Sequence, residues 1–373
     1  MSSPTAEETI LAEATTSMRL PSPPRIRRVR RRLDVPNKIG EGGHTCVYAP
    51  AVPCRGQLPS ECRDDPSKCV VRLSPIADVE TTLRATKDAK VVDPDSHYIQ
   101  TVFPEWCESR PSTFIAMQDL PGLNDLRKTC PRLHKQRILV TYMPRATDSL
   151  QDRIKSGAIN MGENVTHLLH ALCHFRRNSF VHGDAKAQNV MYFGAFPRFI
   201  DLDFAFIYTD ADSVREHFRT RFADLENYSK YWVWPPEALL FKRYLAWSEK
   251  PFTVEDARDA ASNWSAKTSA ALQADALKTH KLLFTAVHET FAAMLETKQQ
   301  EGSDVYRLSD AALMAIAQAW DVWGVGMLFS ELNAALPYAA FVDKKLVASM
   351  LRLDPTTRPE PCDVFRALSD STA

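Results

Sequence analysis

His182-Gly183-Asp184-Ala185-Lys186-Ala187-Gln188-Asn189, followed after a short apolar stretch by Ile200-Asp201-Leu202-Asp203-Phe204-Ala205, is the run that decides how this 373-residue chain is read. Asp184 can orient a hydroxyl and accept its proton. Asn189, five residues later, and Asp201, twelve residues after that, supply oxygen ligands of the kind Mg2+ takes. Val190-Met191-Tyr192-Phe193 and Phe199-Ile200-Asp201 read as two strands around Gly194-Ala195-Phe196-Pro197, which brings Asp201 to the mouth of a cleft. Asp203, two residues on in Asp203-Phe204-Ala205, is the fallback ligand. A proton acceptor beside two metal ligands at this spacing is the equipment of phosphoryl transfer.

Length and composition permit a large core. The chain carries 46 basic and 46 acidic side chains, so its zero formal charge offers no global attraction to nucleic acid or a membrane surface. The exception is Arg25-Ile26-Arg27-Arg28-Val29-Arg30-Arg31-Arg32, behind a stretch rich in Ser, Thr, Glu and Pro that ends in Pro21-Ser22-Pro23-Pro24. Residues 1–35 therefore read as a disordered arm with a basic end, the one place where a nucleic acid or an import receptor would bind. No apolar run suggests a membrane span, and the start lacks the apolar core of a signal peptide. An intracellular chain with reduced thiols is expected. The eight cysteines include no Cys-x-x-Cys pair, and the six or seven residues separating Cys46, Cys54, Cys62 and Cys69 are not zinc-finger spacing.

Lys38-Ile39-Gly40-Glu41-Gly42-Gly43-His44-Thr45-Cys46-Val47-Tyr48 opens the folded part as a glycine-rich hairpin. Lys68-Cys69-Val70-Val71-Arg72-Leu73 reads as a strand and Ala77 to Ala89 as a helix with Glu80 near its start. Arg137-Ile138-Leu139-Val140-Thr141-Tyr142-Met143-Pro144 is an apolar strand running into a linker. Val165 to Phe175 has helical spacing, and His167, His170 and His174 on it, with no interleaved carboxylate, read as amphipathic-helix residues. An Ala-rich section from Ala257 to Leu295 also looks helical.

With these residues in view the chain resembles eukaryotic-type serine/threonine protein kinases over about residues 36 to 369, most closely the divergent kinases of large DNA viruses. Trp234-Pro235-Pro236-Glu237 resembles the end of an activation segment, Asp321-Val322-Trp323-Gly324-Val325-Gly326 a helix start of that family, and Leu353-Asp354-Pro355-Thr356-Thr357-Arg358-Pro359 its closing motif. The viral likeness lies in the Cys46-Val47-Tyr48-Ala49-Pro50 and Val233-Trp234-Pro235-Pro236-Glu237 wording.

The resemblance implies an α+β, two-lobed protein-kinase-like fold. A small β-rich lobe would span 36–140 and a larger helical lobe 141–373, with a long insertion at about 238–320. It implies ATP and Mg2+ as cofactors and Ser/Thr hydroxyls of a protein substrate as acceptors. Asp184 and Lys186 would be catalytic, and Asn189 and Asp201 would hold the metal. Gly40 and Gly42 would cover the phosphates, Arg72 or Lys68 would contact them with Glu80 pairing Arg72, and Val47, Val140 and Met143 would meet the adenine. Glu237 and Arg358 would form a buried pair. For a viral chain the site of action would be host cytoplasm or nucleus, with packaging in the virion as a further option, and no membrane partner is expected.

Gly183 stands where the family carries an Arg that grips a phosphorylated activation loop, so activation by that route is not expected. Two other functions stay open. Arg72 and Thr45 depart from the family pattern in the way of a pseudokinase acting as a binding module. His182-Gly183-Asp184 is also the phrasing of aminoglycoside-type small-molecule phosphotransferases.

Overall fold

The computed structural model describes residues 37–41, 45–111, 114, 130, 133, 137–157, 161–222, 234–265, 280–335 and 342–372. The arm at 1–35 with its arginine run, Gly42, and residues 266–279 of the Ala-rich section lie outside the described residues.

Five antiparallel strands, β1 (Asn37–Glu41), β2 (Cys46–Ala49), β3 (Cys69–Pro75), β4 (Trp106–Ser109) and β5 (Ile138–Pro144), form a sheet in the order β1-β2-β3-β5-β4. β3 sits centrally, and its β-branched and apolar residues are buried at every position. Arg72 is the exception in kind: a cation on a central strand is tolerated only if partners reach it. Between β3 and β4 runs α1 (Val79–Val92), entered through a 3-10 turn at Ile76–Asp78. It starts and ends slightly later than Ala77 to Ala89. Asp93 follows α1 and accepts the backbone N–H groups of His97, Tyr98 and Ile99 at 2.9, 2.7 and 2.7 Å. This turn aims the next residues along the helical part of the chain.

That part begins with α2 (Leu150–Ser156), capped by the Ser149 side chain at the Asp152 N–H and closed by Gly157 in the left-handed conformation, and α3 (Met161–Arg177). Short strands β6 (Phe180–Val181), β7 (Val190–Phe193), β8 (Phe196–Phe199) and β9 (Phe206–Ile207) pair as β6 with β9 and β7 with β8. Gly194 turns the β7–β8 hairpin at φ +83°. The Asp93 turn meets it, since Gln100 N–H donates to the Phe199 carbonyl and Phe199 N–H to that of Tyr98. On α3 the three histidines surround Tyr98. Its hydroxyl lies 2.7 Å from His170 Nδ1, and His174 Nε2 lies 2.7 Å from the Val92 carbonyl. They serve packing of α1 on α3, as their amphipathic placement suggests, and among the described residues no cluster of three or more potential ligands for a metal ion occurs.

Next come α4 (Ala211–Phe222), a 3-10 turn at Pro236–Leu240, α5 (Val254–Ser265), α6 (His280–Ala293), an antiparallel hairpin of β10 (Leu295–Gln300) and β11 (Ser303–Leu308), and α7 (Asp310–Ala335). The insertion at about 238–320 is thus helical only in part, because residues 295–308 of it form this hairpin. Polar, β-branched and aromatic residues alternate there around Glu301-Gly302, which holds the turn with positive φ at both positions. α7 corrects the expectation that no apolar run approaches a membrane span. A window of it reaches a mean hydropathy of 1.4, but 83% of that window is buried within the protein, as in a core helix. α8 (Lys344–Met350) and α9 (Pro361–Thr372) complete the chain, and α9 packs on α3.

The expected reduced thiols are corrected as well. All eight cysteines are paired, as Cys46–Cys130, Cys54–Cys107, Cys62–Cys69 and Cys173–Cys362. The last joins α3 to α9 across 189 residues of chain. Three of the four close over separations of 53 residues or more, a pairing that no local spacing can announce.

Candidate active site

The loop from His182 to Asn189 is held by its own backbone before any side chain acts. His182 and Gly183 donate their N–H groups to the two oxygens of Asp321 on α7, at 2.6 and 3.0 Å. Burial raises the Asp321 carboxyl to about 6, opposed by those two backbone donors. His182 is fully buried, and its Nδ1 lies 3.3 Å from the Asp184 N–H while Nε2 lies 3.0 Å from the Ile200 carbonyl. An acceptor at Nδ1 and a donor at Nε2 require the neutral Nε2–H tautomer. Burial agrees, lowering the imidazole to about 4. One ring therefore ties the loop to the residue preceding Asp201.

Asp184 is buried at 3% exposure. Its Oδ2 accepts from Lys186 Nζ and from Asn189 Nδ2, both at 2.7 Å, and Asn189 also donates to the Asp184 carbonyl at 3.0 Å. Asp184, Lys186 and Asn189 are thus brought together as expected. A 3-10 turn at Ala187–Asn189 folds the amide back over Asp184.

Asp201 lies just past β8 with φ +65°, a left-handed conformation that costs a non-glycine residue energy and is kept where surrounding structure demands it. Its carboxyl is pushed upward, first by burial and then by the neighbouring Asp203 charge, against the pull of Arg72; Asp184 raises it further and Lys186 lowers it. Asp201 therefore shares an electrostatic neighbourhood with the Asp184 loop. Asp203 is its companion, because Arg72 Nη2 reaches both: 3.2 Å to Asp201 Oδ1, 3.1 Å to Asp203 Oδ1 and 3.0 Å to Asp203 Oδ2. These contacts connect β3 to the Asp201–Asp203 turn over 129 and 131 residues of sequence.

Two expectations for Arg72 are corrected. Glu80 does not pair with it. Glu80 is exposed on the first turn of α1, while the guanidinium is spent on Asp201 and Asp203, and Asp78, at the end of the preceding 3-10 turn, acts electrostatically on Arg72 instead. Lys68 cannot substitute for Arg72. It ends a 3-10 turn before β3, about 13 Å down the strand at ~3.3 Å per residue, and its side chain, 77% exposed, faces Asp65 at 3.7 Å.

The remaining residues fall on the sheet. Val47 pairs with both Gly40 and Arg72 in register, so Gly40, Val47 and Arg72 lie in one row across β1, β2 and β3. Val140 is fully buried on β5 opposite Leu73 and Cys107, and Met143, opposite Val70, is half-buried near the exit of the strand. Glu237 and Arg358 form the implied ion pair, bidentate at 2.7 and 2.8 Å with both side chains at 0% exposure.

Sequence reasoning did not assign roles to Asp321, Trp234 or Trp320. Both indoles donate to the Gly183 carbonyl, at 3.0 and 3.1 Å. Asp321 stood in a quoted motif, and that motif was the available signal; nothing local marks an indole as a donor to a distant carbonyl. No protein-family model and no curated protein matches the chain.

Proposed function

We propose that the protein transfers the γ-phosphate of ATP to Ser or Thr hydroxyls of proteins, on a two-lobed kinase-like fold whose small lobe is the five-stranded sheet. The observation that carries this reading is the Asp184 carboxylate, held by Lys186 and Asn189 beside the Asp201–Asp203 pair. An ionised carboxylate with a lysine at 2.7 Å can orient an attacking hydroxyl and take its proton, while the same ammonium offsets charge on a transferred phosphoryl group. The residues present suit Mg2+, which needs few protein ligands and prefers hard oxygens. Asn189 and Asp201 would hold it, and when bound it neutralises phosphate charge. Arg72, on the strand row with Gly40 and Val47, would deliver a guanidinium to phosphate oxygens from the sheet. The Glu237–Arg358 pair and the Asp321 contacts support the reading as architecture, since they come from the three motifs lying outside the catalytic run.

A second reading, a nucleotide-binding module without turnover, is favoured by one observation. Arg72 already occupies both Asp201 and Asp203. Transfer would require this guanidinium to share or release them.

Asp184→Asn separates the two. The variant should bind Mg-ATP like the wild type and lose ~10²-fold or more in transfer rate, the usual cost of deleting a general base. Radiolabelled transfer to a panel of acidic and basic proteins, with nucleotide binding measured in parallel, checks this. A wild type that binds Mg-ATP but transfers no more than the variant supports the binding module.

A further inference from the structure

The carbonyl of Gly183 receives two indole donors from separate parts of the chain. Trp234 comes from the segment leading into Pro235-Pro236-Glu237, and Trp320 from α7. A carbonyl oxygen has two lone pairs, and both are used here. On the opposite side of the same loop, Asp321 takes the N–H groups of His182 and Gly183. The peptide group before Gly183 is thus fixed through its N–H, and the one after it, leading into Asp184, through its carbonyl.

Gly183 itself leaves no room for any other device. Its φ is +81°, and an added Cβ would stand 2.6 Å from the Phe204 carbonyl oxygen and 2.7 Å from Phe204 Cβ. No side chain fits there, and so no cation at position 183 can bind a phosphorylated loop. The indoles are locked in their turn. Trp234 packs against Phe204 and Phe222 with ring centroids 5.1 and 4.8 Å apart, and Trp320 stacks on Phe241 at 5.6 Å and lies 5.3 Å from Phe218. Both are buried and neutral, so the clamp carries no net charge to be switched.

We propose that Trp234 and Trp320 are positioning residues: their N–H groups, converging on the Gly183 carbonyl, hold the Asp184 loop in working shape and couple it to the Trp234–Glu237 segment without a phosphorylated side chain. The proposal rests on the phosphoryl-transfer reading above. It adds that the site is constitutively assembled, and names the groups that assemble it.

The test uses the full chain as wild type, Trp234→Phe, Trp320→Phe, the double variant and Asp184→Asn. Each is treated exhaustively with phosphatase, and mass measurement verifies the absence of phosphate. Phenylalanine keeps a six-membered apolar ring and removes the donor together with the five-membered ring, so the melting temperature is measured beside the rate. The dephosphorylated wild type should transfer phosphate from Mg-ATP without a lag. Each single variant should lose about 5-fold in kcat and the double variant about 50-fold, because the first loss leaves the other donor on the carbonyl. Mg-ATP affinity should be unchanged, and cooling should not restore the rate.

A dephosphorylated wild type that is silent until phosphate is restored overturns the proposal. So does a double variant with unchanged kcat, or a loss that follows the melting temperature and vanishes on cooling. If Trp320→Phe fails to fold, Trp234→Phe decides by the same criteria, since its ring belongs to the segment rather than to α7. A wild type no more active than Asp184→Asn overturns the proposal together with the reading beneath it. An active wild type, a dead Asp184→Asn and an unaffected double variant overturn the proposal alone.

Discussion

Gly324 shows how closely the helix beneath the site limits what a single residue can be. A Cβ at this position would lie 2.8 Å from the Ala185 carbonyl oxygen and 3.1 Å from Ala185 Cβ. The obstacle is largely backbone, which cannot rotate away as a flexible side chain does. Gly324→Ala should therefore push the loop at the residue after Asp184, costing about 1–3 kcal/mol of stability as overpacking does. Transfer should fall while Mg-ATP binding persists. Denaturant unfolding with parallel rate measurements checks this, and an alanine variant with unchanged stability and rate would show that the loop yields freely.

Between elements, buried polar contacts join the segments around the site. Arg72 on β3 is the stronger of two cations, with Lys186, opposing the rise of the Asp201 carboxyl. Removing that charge should raise Asp201 further, so Arg72→Ala should move the acidic limb of the transfer rate to higher pH and weaken Mg-ATP binding, while Arg72→Lys should keep most of both. Rates measured across pH for the pair decide the matter. On α4, His217 Nε2 donates to the Phe204 carbonyl at 3.2 Å and its ring stacks on Phe206 with centroids 3.8 Å apart. Burial first, and then the charges of Arg84 and Arg221, lower this imidazole to about 3. The folded value is depressed below the unfolded one, so the contribution to stability is full above the ordinary histidine value and is lost as pH falls toward the folded value. His217→Gln removes that dependence. The stability advantage of the wild type over His217→Gln should shrink by about 2 kcal/mol between pH 7 and pH 5, the linkage expected over that window. Denaturant unfolding at the two pH values checks the sign, and an advantage that grows on acidification would contradict it.

Across the protein one long-range commitment is the ion pair of Glu237 and Arg358, from segments 121 residues apart. A buried pair is weak evidence of net stabilisation, but breaking one leaves an uncompensated charge. Glu237→Gln should cost about 3–5 kcal/mol and lower the thermal midpoint. Replacing both partners by apolar residues of similar volume should recover much of it. If the single variant melts like the wild type, the pair is not sealed from water as the 0% exposures indicate. Trp320 and Trp323 flank the same region of α7 and are themselves among the largest fully enclosed side chains. Loss of Glu237 should therefore be felt at the Asp184 loop through the Trp234–Glu237 segment.

Local order in the chain was enough to announce the Asp184-to-Asn189 loop, the β7–β8 hairpin, α1, α3 and the strands at 69–75 and 138–144. In each, a short-range rule acts: hydrophobic period, a turn glycine, or a fixed spacing of polar groups that one backbone segment brings together by itself. Asp184, Lys186 and Asn189 meet for that reason, within six consecutive residues. What local order could not announce are meetings between separated segments. Arg72 chose Asp201 and Asp203 over Glu80 because strand register and the left-handed turn at Asp201 placed those carboxylates at its guanidinium, while the first turn of α1 pointed Glu80 to solvent. The three long-range disulfides and the two indoles on the Gly183 carbonyl were settled in the same way. Each depends on where a distant segment lies after packing, and burial, which decides whether a polar group must find a partner, exists only once the tertiary structure has formed.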